Sequence, residues 1–342
     1  MNNRRVEGWN RREFLGAAVV AGTRVLLGLR SDAFAAEPPP ETTKLRLIRS
    51  APVCTAPQYI AEELLRGEGF SDIQEIRKEG GGIPARIQAL GAGEGDILST
   101  YIGPLLARID AGDPIVILSG LHVGCLQLFA TERIRTIRDL KGKTVAINEV
   151  GSAGHYFLAS LASYVGLNPA KDIHWVTHSS VEAIRLLAEG KIDAYQALPP
   201  DPLELRARRI GHVVVNSALD RPWSQYFCCM VAVNREFVRK NPAATKRALR
   251  AIMKTVDICA LEPERSTRFL VNKGYTKNYD YALGTLKEIP YGKWRDYDPE
   301  DTVRFYSLRL NEIGMIKNSP QKIIAQGTDW RFLRELKKEL KA

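Results

Sequence analysis

The loop Gly151-Ser152-Ala153-Gly154-His155 carries residue types that could bind an anion. Small residues let backbone N–H groups approach a ligand, the Ser152 hydroxyl can donate a hydrogen bond, and a helix N-terminus favours negative charge. An oxyanion therefore fits this loop. The alternative is an ordinary helix start in which Ser152 is the N-cap. His155 either adds a donor that switches with pH or is a solvated residue early in the helix.

Six further candidates follow predicted strands in the first half of the chain, because ligands in open α/β sheets bind beyond the carboxyl ends of strands. The Thr55 hydroxyl either bonds the ligand or caps the next helix. Tyr101 offers a flat apolar face with a polar tip, which either lines the pocket against a planar ligand or packs between loops. The candidate ligand-binding residues in this half are Cys54, Thr55, Ser99, Thr100, Tyr101 and His122.

Three residues of the second half complete the candidate site. Pro199 and Asp201 follow the predicted strand 193–197. The Asp201 carboxylate either pairs with an amine-bearing ligand or caps the following helix. Tyr226 precedes the apolar run 227–233 and is expected at a hinge or in a cleft.

Neither the five cysteines nor the five histidines show a spacing typical of a metal site. No G-x-S-x-G, P-loop or G-x-G-x-x-G run is present either, so we predict no metal, no cofactor and no catalytic residues. Cys228 and Cys229 lie in an apolar run, where adjacent strand residues point to opposite faces. This favours two buried thiols over a vicinal disulfide.

The N-terminal segment has the features of an export signal. Arg11 and Arg12 precede an apolar stretch at 14–29, which at about sixteen residues is shorter than a membrane span. A twin arginine before such a stretch is typical of the twin-arginine export route. We therefore expect the mature protein in the periplasm. The alternative is an uncleaved first helix or an inner-membrane anchor.

The expected cleavage site follows from small residues at the end of this segment. Residues 33–35 read Ala-Phe-Ala, so the signal peptide is predicted to occupy residues 1–35, with cleavage after Ala35 or Ala36. A polar, proline-rich leader at 36–43 comes next.

Composition and charge restrict the function further. About three hundred residues remain after cleavage, which is enough for two domains. The net charge of +10 suits an anionic ligand. Lys and Arg are spread along the chain rather than clustered, so no nucleic acid partner is expected.

Two series of alternating strands and helices predict an α/β protein with largely parallel sheets. The apolar runs 126–130 and 227–233 flank the second series, as two crossings between lobes would. After the second run the chain is predicted to be helical at 242–261, 263–272, 279–288, 299–313 and from Ser319 to the end. A proline lies near the start of four of these helices, at 242, 263, 299 and 320, and another helix is predicted to open with Pro57. The predicted strands are 45–48, 73–77, 96–99 and 115–121 in the first series and 144–147, 173–176, 193–197 and 212–215 in the second.

Four segments, in this order behind an export signal, resemble the periplasmic substrate-binding proteins of ABC importers. The similarity is to the branch related to nitrate, sulfonate, taurine and thiamine-precursor binders, and it covers nearly the whole mature chain. The segments are the opening strand with the Ala56-Pro57 helix start, Glu79-Gly80-Gly81-Gly82 and 89–96; residues 139–146 with Gly151-Ser152; residues 188–194; and residues 233–238 with Asn241-Pro242.

The resemblance implies a two-lobed periplasmic binding protein fold of type II, with two crossover strands as the hinge. Residues 44–128 and 231–342 would form lobe one, and residues 129–230 lobe two. It further implies a monomer that captures a small anionic or planar organic ligand and delivers it to an ABC permease and ATPase at the inner membrane. An enzyme of the same fold and a ligand-sensing module for a membrane receptor are the alternatives.

Overall fold

The computed structural model describes residues 37–50, 53–78 and 80–340. The predicted signal peptide, its cleavage site after Ala35 or Ala36 and the first residue of the leader lie outside the described residues. Within the described part of the chain, no helix combines the length and the apolar character needed to cross a membrane.

Ten strands in the described residues form two five-stranded sheets within one compact unit that starts at Pro40. The first sheet has the strand order β2-β1-β3-β10-β4 and the second has the order β7-β6-β8-β5-β9. The strands are β1 Lys44–Ile48, β2 Asp72–Ile76, β3 Ile97–Tyr101, β4 Ile115–Val123, β5 Gln127–Ala130, β6 Lys143–Ile147, β7 Ile173–Thr177, β8 Ala194–Ala197, β9 His212–Asn216 and β10 Phe227–Asn234.

Helices connect the strands and cover the sheets. The α-helices are α1 Ala56–Ile60, α2 Glu62–Gly67, α3 Gly82–Gly91, α4 Ile102–Asp110, α5 Ala153–Tyr164, α6 Pro169–Asp172, α7 Ser180–Ala188, α8 Asp201–Ala207, α9 Arg235–Lys240, α10 Pro242–Leu261, α11 Pro263–Asn272, α12 Tyr279–Glu288, α13 Pro299–Glu312, α14 Pro320–Gly327 and α15 Arg331–Glu339. Short 3₁₀ turns lie at Val53–Thr55, Ile137–Leu140, Trp223–Gln225 and Tyr291–Trp294.

Each sheet contains one strand that runs against its neighbours, and each of these strands enters from the other sheet. β10 pairs antiparallel with β3 and β4, and β5 pairs antiparallel with β8 and β9. The chain leaves the first sheet at the carboxyl end of β4 and enters the second as β5. A strand that starts at the end of a sheet where its neighbouring strands finish must run antiparallel to them. The crossovers therefore meet the carboxyl ends of the parallel strands.

Every predicted strand overlaps an observed one, and the predicted α/β class is confirmed. β3, β4 and β10 are buried along their whole length, as expected for strands covered on both faces. The helix expected from Pro57 breaks at Ala61 into α1 and α2, and the helix expected from Ser319 to the end is two helices, α14 and α15. Sequence patterns also missed the short helices α6 and α9.

A buried glutamine fastens the strands that carry the first set of candidate residues. β1 and β3 are paired through Leu47 and Ile97. Beyond that point Gln58 of α1 lies between them: its Nε2 donates to the Ile48 carbonyl at 2.9 Å, and its Oε1 accepts from the Ser99 N–H at 2.6 Å. The amide side chain thus takes the place of a ladder hydrogen bond and positions the residues that follow both strands.

Replacing Gln58 with Leu should lower the free energy of unfolding by about 2–4 kcal/mol, because two buried backbone groups lose their partners. Chemical denaturation measures this loss. The matched control is Gln88→Leu on the exposed face of α3, which should change stability by less than about 0.5 kcal/mol. Equal effects of the two substitutions would contradict the role given to Gln58.

Candidate ligand-binding site

A small cavity lies where the carboxyl ends of strands from both sheets meet the crossovers. Its volume is about 30 Å³. That is room for about two water molecules, and far less than the several hundred Å³ that organic ligands usually occupy. Six predicted site residues line it, namely Cys54, Thr55, Thr100, Tyr101, Ala153 and Pro199. The folded chain therefore brings candidates from both sheets to one place.

Four buried polar atoms on strands that end at this cavity have no hydrogen-bond partner among the described residues. They are Ser99 Oγ and Tyr101 Oη on β3, His122 Nε2 on β4 and Gln196 Oε1 on β8. Folded proteins pair nearly all buried polar groups, so each exception calls for an explanation. Of the four residues only Tyr101 lines the cavity, so a ligand, ion or water bound there would account for its hydroxyl.

The Gly151 to His155 loop is closed by its own side chains. Ser152 Oγ accepts from the His155 N–H at 3.3 Å, which makes Ser152 the N-cap of α5. His155 Nδ1 in turn accepts from the Gly151 N–H at 3.1 Å. Burial lowers the pKa of His155, so the ring is held in its neutral form. The helix N-terminus reaches the cavity through Ala153.

Tyr101 packs against aromatic rings from two other elements as well as lining the cavity. Its ring meets Phe157 of α5 edge to face at 6.3 Å between centroids and Tyr306 of α13 at 5.9 Å. Tyr101 therefore packs between elements of the fold, which is one of the two roles considered for it. Stacking of Tyr101 on a planar ligand stays a prediction.

Asp201 and Tyr226 lie outside the cavity lining. Asp201 is the first residue of α8 rather than its cap, and its carboxylate accepts a hydrogen bond from Tyr195 Oη at 2.5 Å. Burial raises the pKa of Asp201. Tyr226 stacks on Phe305 of α13 with 4.0 Å between ring centroids. The other predicted site residues outside the lining are Ser99, His122, Gly151, Ser152 and His155. Ligand contact by all of these residues stays a prediction.

All five cysteines are free and buried, which confirms the prediction of buried thiols at Cys228 and Cys229. The expectation that their side chains point to opposite faces is wrong, since both line the cavity. The register of β10 on β4 shifts between Phe227 and Cys229, which leaves Cys228 as the extra residue of a bulge. A bulge re-aims a side chain in this way.

The folded chain also brings together four potential metal ligands, Cys54, His122, Cys125 and Cys229. The prediction of no metal site relied on spacing along the sequence. These residues come from the 3₁₀ turn after β1, from the end of β4, from the first crossover and from β10. Because these four residues come from separate elements, their spacing along the sequence does not reveal that they meet in the folded chain.

Ser217, which sequence patterns did not single out, holds the first crossover in place. Its hydroxyl oxygen accepts from the N–H groups of Cys125 and Leu126 at 3.1 and 3.0 Å, and its hydrogen is donated to the Leu126 carbonyl at 2.8 Å. The residue is buried and comes directly after β9. It thereby fixes the position of Cys125 in the cavity wall.

Helices from the two sheets touch beside the cavity. α4 follows β3 of the first sheet, and α5 follows β6 of the second. A Cβ atom placed on Gly103 of α4 would lie 2.5 Å from Cβ of Tyr156 on α5 and 2.9 Å from Cε1 of Tyr101. Contacts under about 3.0 Å between such atoms do not occur, so the absence of a side chain at Gly103 permits the close approach.

Comparison with known proteins identifies the family and the fold of this chain. A profile of the family described as NMT1/THI5 like matches residues 76–266. The 4-amino-5-hydroxymethyl-2-methylpyrimidine phosphate synthase THI5 of Saccharomyces cerevisiae is 24% identical over 254 residues, which are 64% of this chain and 73% of the yeast protein.

Solved structures show the same fold at low sequence identity. The periplasmic nitrate-binding protein NrtA from Synechocystis PCC 6803 superposes with a TM-score of 0.71 at 16% identity and covers 89% of this chain and 90% of its own. The periplasmic aliphatic sulphonate-binding protein SsuA from Escherichia coli gives a TM-score of 0.65 at 19% identity, with coverage of 85% and 94%. The chain has the two-lobed periplasmic binding protein fold of type II.

Substituting Gly103 with Ala should separate α4 from α5 and lower the free energy of unfolding by about 1–3 kcal/mol, because the added methyl group overpacks this contact. Thermal unfolding measures the loss, and small-angle scattering should show a larger radius of gyration. The control is Gly67→Ala at the end of α2, where a Cβ atom meets nothing within 4 Å. An unchanged melting temperature for the Gly103 variant would rule out the close contact.

Acidification from pH 7.5 to pH 5 should destabilise the protein partly through His155. Its pKa is lowered in the folded state, so the unfolded chain takes up the proton first, starting near pH 6.5, and stability falls with falling pH. His155→Gln should reduce the difference in melting temperature between the two pH values. The exposed His174→Gln serves as the control, and an identical pH dependence in wild type and His155→Gln would disprove the assignment.

Proposed function

This chain belongs to the NMT1/THI5-like family, and from that premise we propose that it is an extracytoplasmic solute-binding protein of an ABC importer. It captures a small ligand between its two lobes and passes it to a membrane permease and its ATPase. The single observation that supports this role best is the cavity at the crossovers, which residues from both sheets line.

The volume of the cavity defines the binding cycle. At about 30 Å³ the cavity is too small for an organic ligand to enter, so the lobes must separate about the crossovers before binding and close afterwards. A ligand drives closure only if it binds the closed state more tightly than the open one. The Tyr101 hydroxyl, which has no hydrogen-bond partner among the described residues, is the contact we expect to favour the closed state.

The residues around the cavity favour a ligand with an anionic group and a planar or apolar body. The N-terminus of α5 at Ala153 provides backbone N–H groups and the positive end of a helix dipole. Thr100 adds a hydroxyl, while Leu126 and Leu198 provide apolar surface in the cavity lining. Nitrate, sulfonates, carboxylates and pyrimidines with an acidic substituent are the classes to test.

The synthase named for the yeast relatives is the competing function, because the sequence match covers most of both chains. The binding role is preferred because the solved structures that share this fold include a nitrate-binding and a sulphonate-binding protein. A sensor that reports to a membrane receptor would use the same ligand-binding cleft.

The compartment and the assembly state belong to the same proposal. A twin-arginine signal at residues 1–35 would send the chain to the periplasm, where binding proteins of importers operate. A monomer suits a protein that must present both lobes to a permease. Fractionation of cells that express the full chain, followed by N-terminal sequencing, tests the route and the cleavage after Ala35 or Ala36.

A thermal-shift screen tests the function directly. A ligand that binds only the native state must raise the melting temperature, by an amount that grows with its concentration. We expect one or more anionic compounds among nitrate, alkanesulfonates, carboxylates and pyrimidines to do so. Ala153→Leu should abolish the shift while the ligand-free melting temperature falls by only a few degrees, whereas Ala170→Leu on the exposed surface should retain it.

The outcomes of the screen separate the alternatives. Stabilisation by neutral or cationic compounds alone would contradict the anion preference. Mass spectrometry of the recovered ligand distinguishes binding from catalysis, since a chemically altered compound would support the synthase. Reconstitution with a permease and ATPase distinguishes import from sensing.

A further inference from the structure

Four buried side chains with metal-binding donor atoms meet beside the cavity, and three of them, Cys54, Cys125 and Cys229, line it. The Sγ atoms of Cys54, Cys125 and Cys229 and a ring nitrogen of His122 all lie within 4.8 Å of one another. In a tetrahedral zinc site with Zn–S bonds of about 2.3 Å, sulfur atoms are about 3.8 Å apart. Each donor therefore has to move inward by less than about 1 Å to bind one ion.

The imidazole of His122 is oriented as a metal ligand. Its Nδ1 lies 3.2 Å from the carbonyl oxygens of Val123 and Gly124. Carbonyl oxygens only accept hydrogen bonds, so Nδ1 carries the proton and Nε2 carries the lone pair. Nε2 is buried and makes no hydrogen bond to any described residue. Metal-bound histidines share this arrangement, in which the second nitrogen donates to a carbonyl.

The backbone holds the donors in place without a metal ion. Cys229 is directly opposite His122 in the β4–β10 ladder, so the two side chains emerge on the same face. Ser217 fastens the turn that contains Cys125. Tyr291 Oη donates to the Cys54 carbonyl at 3.0 Å. Such fixed positions reduce the cost of assembling a metal site.

From this geometry we infer that Cys54, His122, Cys125 and Cys229 form a closed tetrahedral site for one soft metal ion, with Zn²⁺ as the ion the donor set suits best. Three thiolates and one imidazole are a common ligand set of structural zinc sites, which have no open position for a substrate. Cu(I) is the other ion that thiolates select strongly. The ion would join the turn after β1 to both crossovers.

Zinc binding at this site would release protons and leave a small net charge. Three thiols release their protons to solvent when they bind Zn²⁺, and the neutral imidazole releases none, so the loaded site carries one net negative charge. Cys228 lies beside it, with its Sγ 3.2 Å from Cys125 Sγ. As a protonated thiol it can donate to the Cys125 thiolate and offset part of that charge.

The test uses the full mature chain, purified under reducing conditions, freed of metal with a chelator and titrated with Zn²⁺. One equivalent should bind and raise the melting temperature. X-ray absorption at the zinc edge should report three sulfur ligands and one nitrogen ligand. A parallel titration with Cu(I) identifies the preferred ion, and the same four donors in either case support the site.

Single substitutions assign the ligands. His122→Gln and Cys229→Ser should weaken Zn²⁺ binding by more than the ~10–100-fold that loss of an outer partner costs. Cys54→Ser provides a third variant, in the 3₁₀ turn after β1 and outside the strands, in case a strand variant fails to fold. Cys259→Ser is the matched control, because Cys259 is also a buried free thiol but lies outside the cluster. It should bind Zn²⁺ as the wild type does.

Three results would overturn the site. They are the absence of stoichiometric binding to the reduced chain, unchanged affinity in all three ligand variants, and a disulfide between Cys125 and Cys228 in protein recovered from its native compartment. The titration contains no organic ligand, so its outcome is independent of the thermal-shift screen. A chain that binds Zn²⁺ but no anion would retain this site and lose the proposed transport role.

Discussion

The constraint on which the structure depends is that each crossover enters the interior of a sheet and not its edge. β10 lies between β3 and β4, and β5 lies between β8 and β9. The first crossover turns at Gly124, where φ is +51° and a Cβ atom would lie 2.2 Å from the backbone of Ala218. Because the crossovers are hydrogen-bonded on both sides, a hinge motion has to occur in the few residues between the strands.

This placement also explains why polar and thiol side chains collect at the cavity. Parallel strands end where the crossovers begin, so the turn after β1, the end of β3 and the start of α5 all face the same strand pair. In a regular strand the side chains of Cys228 and Cys229 would point to opposite faces, and only one thiol would line the cavity. The bulge at Cys228 brings the second thiol to the same wall. A site built at a hinge in this way can respond to the relative position of both lobes.

Sequence patterns predicted the elements better than the site. Proline in the first turn located the starts of α10, α11 and α13, because proline is tolerated there and disfavoured further along a helix. Strand ends correctly selected Thr100 and Ala153 as residues that line the cavity. Patterns could not show the clamp by Gln58, the bulge or the aromatic packing of Tyr226, since each depends on residues distant in sequence. The residue limits of the two lobes and ligand contact by individual residues stay predictions.

A metal ion at the thiol cluster would restrict how the ligand lies in the cleft. The loaded site places one net negative charge on the floor of the cavity, next to Cys228. A small anion such as nitrate, with charge on every side, would then meet repulsion from the floor as well as attraction from the N-terminus of α5. A ligand with its anionic group at Ala153 would meet attraction there, and a weakly basic end toward the thiolates would be attracted as well, while a neutral end would only avoid the repulsion. A planar heterocycle with one acidic substituent satisfies this arrangement better than a symmetric inorganic anion, because its two ends differ in charge.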